Sequence, residues 1–159
     1  MKRVQGSAET KPIECVSKVR NKWRVRWDFC KEENGCSYME EEFIGRPSVE
    51  TVRKTIEDYY NDKVDMDILS GFVWNGYNVW LSQENQFNYK ATFDLASMTG
   101  SSNLPAVFKF SKEGKDAYHT FGTLDELLGF YTQMLSYIQQ CVEEGWKKKD
   151  SVDYKSFEP

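Results

Sequence analysis

The stretch Gly71-Phe72-Val73-Trp74-Asn75-Gly76-Tyr77-Asn78-Val79-Trp80-Leu81-Ser82 decides how the rest of the chain is read. Asn-Gly between two alternating runs is the signature of a two-residue type I′ hairpin turn, in which both central residues take positive φ. That turn puts Phe72, Trp74, Tyr77, Val79 and Leu81 on one face and leaves Val73, Asn78 and Trp80 on the reverse. Ser82 can then accept a backbone N–H as an N-cap, and a helix is expected to about Met98 with Phe87, Ala91, Leu95 and Met98 inward. Strand, tight turn, strand and capped helix make one unit.

The same unit recurs on both sides. Upstream, Trp23, Val25, Trp27 and Phe29 alternate with Arg24, Arg26 and Asp28, and a return strand runs from Cys36 to Phe43. A three-residue loop at Glu33-Asn34-Gly35 would set Phe29 opposite Met39, Val25 opposite Phe43 and Arg26 opposite Glu42, whereas a two-residue Asn-Gly turn would bring Trp27 against Glu42 on the core face. Ser48 can cap a helix whose Val49, Val52, Ile56, Tyr59 and Tyr60 share a stripe. Downstream, strands Val107 to Phe110 and Ala117 to Phe121 flank Glu113-Gly114 and lead into Thr123-Leu124-Asp125-Glu126, a capping-box pattern. The helix it opens carries Leu124, Leu127, Leu128, Tyr131, Met134, Leu135, Ile138, Cys141 and Val142 at helical spacing.

The fold class expected is therefore α+β, built from three β-hairpin–helix units, with a largely antiparallel sheet and the helices packed on one face. Residues 1–12 read as a flexible tail, 13–153 as a single domain and 154–159 as a second tail. Within the domain, 13–63 form an extra N-terminal hairpin and helix ahead of 64–152.

Bulk composition fits one core. The 159 residues are 40% hydrophobic and 29% charged, with a net charge of −4. Charge is uneven: residues 1–26 carry net +6, and residues 27–67 carry net −7. No run approaches the roughly 20 apolar residues of a membrane span, and Met1-Lys2-Arg3 is followed by polar residues rather than an apolar signal core. A protein that works where it is made, or inside a particle assembled there, is the expectation. Cys15, Cys30, Cys36 and Cys141 lack the paired spacing of a zinc site and read as four thiols.

No catalytic constellation emerges. His119 lies in a strand opposite Phe108 without a sequence neighbour that would make it a ligand or base. Glu40-Glu41-Glu42 could meet a hard cation, but Arg24 and Arg26 can pair with Glu40 and Glu42 across the hairpin and explain the run without metal. Asp65-Met66-Asp67 lacks calcium-loop spacing. Lys18, Arg20, Lys22, Arg24 and Arg26, interleaved with Trp23 and Trp27, are the candidates for a nucleic-acid surface, although alternation sends the arginines and tryptophans to opposite faces. Trp74, Tyr77 and Trp80 are the candidates for a protein interface, because the reverse face of that hairpin carries Val73 and Trp80 and exposed aromatics mark contact surfaces.

From about Val64 to Val152 the order of short motifs resembles a domain-of-unknown-function family found at the C-terminal end of phage and prophage tail-fibre-like proteins. The series is Ile68-Leu69-Ser70, Gly71-Phe72-x-Trp74-x-Gly76, Ser82-Gln83, Asn88, Ala91, Leu95-Ala96, Pro105-x-x-Phe108 and Phe121-x-x-Leu124-x-x-Leu127, then a long helix ending near Trp146-Lys147-Lys148-Lys149-Asp150. The resemblance implies a place at or near a phage tail or particle and carries no catalytic or cofactor residues. A non-enzymatic structural or binding module that takes a protein partner or a second copy of itself is expected, with no cofactor, membrane or small-molecule substrate. An assembly chaperone or host-interaction protein is the alternative of the same kind, and a nucleic-acid-binding accessory protein is the alternative of another.

Overall fold

The computed structural model describes residues 1–7, 9–32 and 35–159. Three hairpins each feed a helix, so the α+β class and the hairpin–helix order are as the sequence implies. The strands form two four-stranded antiparallel sheets rather than one. The chain divides into two compact units, one of residues 1–60 with 148–159 and the other of 61–147.

In the first unit the sheet order is β1-β4-β3-β2, from β1 (Lys2–Gly6), β2 (Ile13–Ser17), β3 (Lys22–Glu32) and β4 (Gly35–Ile44). Residues 2–6 are thus an edge strand and not a tail: Val4 pairs with Tyr38 and Lys2 with Glu40. With β2 on the other side, both edges of the central hairpin are occupied by its own N-terminal strands, which is why this hairpin makes a separate sheet. The expected loop falls on Glu33 and Asn34, outside the described residues. The register it implied is corrected, since Trp27 faces Met39, Arg26 faces Glu40, Val25 faces Glu41 and Trp23 faces Phe43. A bulge follows, because β3 spends three residues from Trp27 to Cys30 while β4 spends two from Met39 to Ser37. Asp28 takes φ 53 there. The extra residue turns Phe29 to the other face, 44% exposed, with its ring 5.3 Å from that of Tyr38.

Val25, Trp27 and Met39 form the core of this unit with Val52, Ile56 and Tyr60 of α1 (Val49–Gly71). The Ser48 hydroxyl accepts the N–H of Thr51 at 3.2 Å, as the cap requires. The C-terminal segment is not a tail, for Tyr154–Phe157 make a short 3-10 helix that buries Phe157 in the same core.

In the second unit the order is β5-β6-β7-β8, from β5 (Val73–Trp74), β6 (Tyr77–Asn78), β7 (Ala106–Lys112) and β8 (Lys115–Phe121). Asn75 and Gly76 take φ 47 and 77, the two positive angles of a type I′ turn, and Trp74 pairs with Tyr77. α2 (Gln83–Met98) and α3 (Leu124–Asp150) pack their buried residues against one side of this sheet. Phe130 of α3 is fully buried among Trp74, Tyr89, Phe110 and Phe121, at ring separations of 5.2 to 5.6 Å. Gly145 of α3 is needed for close approach: a Cβ there would lie 2.3 Å from Cγ2 of Val64 on α1.

Candidate functional site

The second hairpin separates the three aromatic interface candidates. Trp74 is 3% exposed, with its ring 5.2 Å from those of Phe121 and Phe130, so it belongs to the core. Tyr77 is half-buried against Trp74 and Phe110. Only Trp80 remains an outward aromatic, 54% exposed. The correction follows from alternation, since Trp80 lies between the buried Val79 and Leu81, which share the face of Trp74 across the turn. Val73, Val107 and Tyr118 are exposed as well and lie on the side of the sheet away from the helices.

A second apolar surface lies on α2. The inward residues are Tyr89 and Ala96, with Phe93 stacked at 5.1 Å on Tyr131 of α3. Phe87, Ala91, Leu95 and Met98, expected inward, are exposed; Phe87 stands at 70%, Leu95 at 50% and Met98 at 84%. At 3.6 residues per turn these four form a stripe roughly opposite the core-facing one. α2 therefore carries two apolar stripes, and the one with the larger aromatic set faces inward. The Ser82 hydroxyl accepts the N–H of Asn85 at 3.3 Å, and the amide of Asn85 donates to the Trp80 carbonyl at 2.7 Å, which fixes the hairpin against the helix start. Glu84 in that first turn has its carboxyl held below the usual range by the backbone N–H bond it accepts and by Ser82. On the flank of the outward stripe Lys90 pairs with Asp94.

The basic candidates are largely occupied by carboxylates. Arg26, 5% exposed, donates from Nε to Glu40 at 2.9 Å and from Nη1 to Glu14 at 3.0 Å and to the Lys11 carbonyl at 3.1 Å. Arg24 lies 3.6 Å from both Glu40 and Glu42, and Lys22 pairs with Glu42. Burial lowers the Arg26 proton affinity, but the bonds to Glu40 and Glu14 outweigh it and the guanidinium is held more firmly charged than usual. The cross-strand ladder is formed, with Glu40 as its buried centre. Lys18 and Arg20 are exposed beyond it, in the turn before β3.

A cleft of about 430 Å³ opens in the first unit, lined among others by Trp27, Asp28, Phe29, Tyr60, Lys148 and Phe157. The Asp28 carboxylate accepts from Arg3 and, at 3.4 Å, from Lys148. Burial, followed by the charge of Asp28, raises the Tyr60 phenol far above its ordinary range, which keeps it protonated. The cleft thus holds a neutral phenol and a carboxylate shared between two cations, an arrangement suited to holding structure. In the second unit His119 Nε2 lies 2.8 Å from Glu126 Oε1 while its ring packs 4.9 Å from Trp74. The other oxygen of Glu126 accepts the N–H of Gly122 at 3.2 Å, and the Thr123 hydroxyl accepts that of Glu126 at 3.3 Å. His119 and Glu126 are in this way joined to the helix cap.

Among the described residues no group of three or more His, Cys, Asp or Glu side chains is placed to hold a metal ion, and no helix is long and apolar enough to cross a membrane. All four cysteines are free thiols; Cys30 pairs with Ser37 and Cys36 with Lys31, so the two are not opposite. No family model, curated protein or solved structure matches the chain. The residues that sequence reasoning misplaced, Phe87, Ala91, Leu95 and Met98, had a signal in the sequence. Tyr89, Phe93 and Ala96 offered α2 a second and competing face.

Proposed function

We propose that the chain is a non-enzymatic, phage- or prophage-related structural and binding module, which engages a protein through the outward side of α2. The observation that carries this reading is the stripe of Phe87, Ala91, Leu95 and Met98 exposed on a capped helix. Phe87, Leu95 and Met98 alone present on the order of 400 Å² of apolar surface, a patch of the size that marks contact sites on folded proteins. Support for a non-catalytic role comes from the groups best suited to chemistry, since Asp28, Glu40 and His119 are each engaged by other side chains. The phage setting rests on the ordered motifs between Val64 and Val152.

The test is association. The parent chain and a Phe87→Ser/Leu95→Ser variant, each checked for native circular dichroism, are compared for self-association and for capture of proteins from a phage-infected bacterial lysate. The expected result is a folded variant that has lost whatever association the parent shows. A folded variant that associates as well as the parent in both assays removes α2 from the function.

A further inference from the structure

We infer that the occupant of the outward α2 stripe is a second copy of this chain, with the two α2 helices packed antiparallel about a two-fold axis near Thr92 and Phe93. The inference rests on the binding role proposed for α2 and names its partner. Phe87, Ala91 and Leu95 are spaced four residues apart, the ridge that interdigitates with an identical ridge when helices pack against each other. A two-fold axis requires the same patch on both copies to be self-complementary. Midway between Phe87 and Met98, such an axis sets Phe87 of one copy against Met98 of the other, a rigid ring against a flexible side chain. It also sets the small Ala91 against the larger Leu95, so that the helices can approach closely where bulk is least.

Charge agrees with this geometry. Lys90 and Asp94 lie on one flank of the stripe and pair with each other within the helix. In an antiparallel two-fold pair that flank adjoins its own copy. Lys90 then comes within about one residue rise, roughly 1.5 Å along the axis, of the level of Asp94 in the second copy. Two Lys–Asp pairs become a closed group of four alternating charges. A parallel two-fold pair would instead put the two copies of this flank on opposite sides of the interface, where Lys90 and Asp94 of one copy cannot meet those of the other. The area is modest: two stripes bury on the order of 800 Å², and the polar flanks bring the total toward the roughly 1,200 Å² at which specific interfaces begin. A reversible, concentration-dependent dimer is the form this predicts.

The test uses sedimentation equilibrium of the full chain, its Lys90→Glu variant, its Asp94→Lys variant and an equimolar mixture of the two variants. Each variant alone juxtaposes like charges across the axis and is expected to weaken the dimer by about tenfold or more. The mixture places opposite charges together again and is expected to dimerise within a few-fold of the parent. A mixture that associates no better than either variant overturns the antiparallel pairing. A parent that sediments as an 18.6 kDa monomer at every concentration overturns self-association altogether. Loss of lysate capture by the Phe87→Ser/Leu95→Ser variant would in that case still support a binding role for α2 with a different partner, so the two readings fail separately.

Discussion

The outward face of the first sheet and the outward face of α2 solve the same problem in opposite ways. On the sheet, Lys22, Arg24 and Arg26 meet Glu14, Glu40 and Glu42, so its charges are answered within the unit. On α2, Phe87, Leu95 and Met98 stand in solvent. A charge face satisfied from within gains little from a partner, because desolvation offsets new attraction. An apolar face gains roughly 25 cal/mol for each Å² it covers. Sequence patterning alone gives both faces a regular period, but only the apolar one has free energy to release on contact.

The largest expected effect sharpens the contrast within the second hairpin. Trp74→Ala should cost about 3–5 kcal/mol of unfolding free energy, as for other large core truncations. Trp80→Ala, which removes an exposed ring, should stay within about 0.5 kcal/mol in the same denaturant titration. Equal losses for both would erase the distinction between core and surface on which the account of this hairpin depends.

Next comes the buried ion pair. Arg26→Ala should cost about 3 kcal/mol, because it leaves Glu40, 5% exposed, without its principal partner. Adding Glu40→Leu should recover much of that loss, since the uncompensated charge is then gone. If the double variant is no better than the single one, the ladder acts through packing rather than through mutual neutralisation.

A smaller effect reads the second core by pH. Burial pushes the Tyr89 phenol from its ordinary 10.0 up to about 12. Below pH 10 the group is protonated in both states and its contribution to stability is whole. As pH rises from 10 to 12 the unfolded chain ionises first, so stability falls by about 2–3 kcal/mol across that window. Tyr89→Phe should remove this share of the alkaline loss, and parallel curves for parent and variant would show that Tyr89 is not the buried phenol described.

What could be read from the sequence was what is local. The Asn75-Gly76 turn and the caps at Ser48, Ser82 and Thr123 depend on neighbours a few residues apart, the pairing of His119 with Phe108 depends on a single short hairpin, and all are present. β1 and β2 escaped notice because five-residue stretches of mixed polarity become strands only by lying along β4 and β3. The bulge at Asp28 was hidden for a related reason: a lone Asp inside an alternating run carries no turn signature such as Asn75-Gly76 does, and its positive φ is set by the pairing around it. On α2 the difficulty was ambiguity, since two apolar stripes share one helix and only the packing of Tyr89 and Phe93 decides which is inside. The candidate interface was therefore in view as a set of residues and assigned to the wrong side.

The most direct measurement is the unfolding free energy of a Phe87→Ser/Leu95→Ser/Met98→Ser variant against the parent, at a concentration too low for association. If the stripe is an interface of the folded protein, the variant should lie within about 0.5 kcal/mol per substitution of the parent, as surface changes do. A loss of about 2 kcal/mol or more per residue, the scale of core truncation, would place the stripe inside the fold and contradict the account.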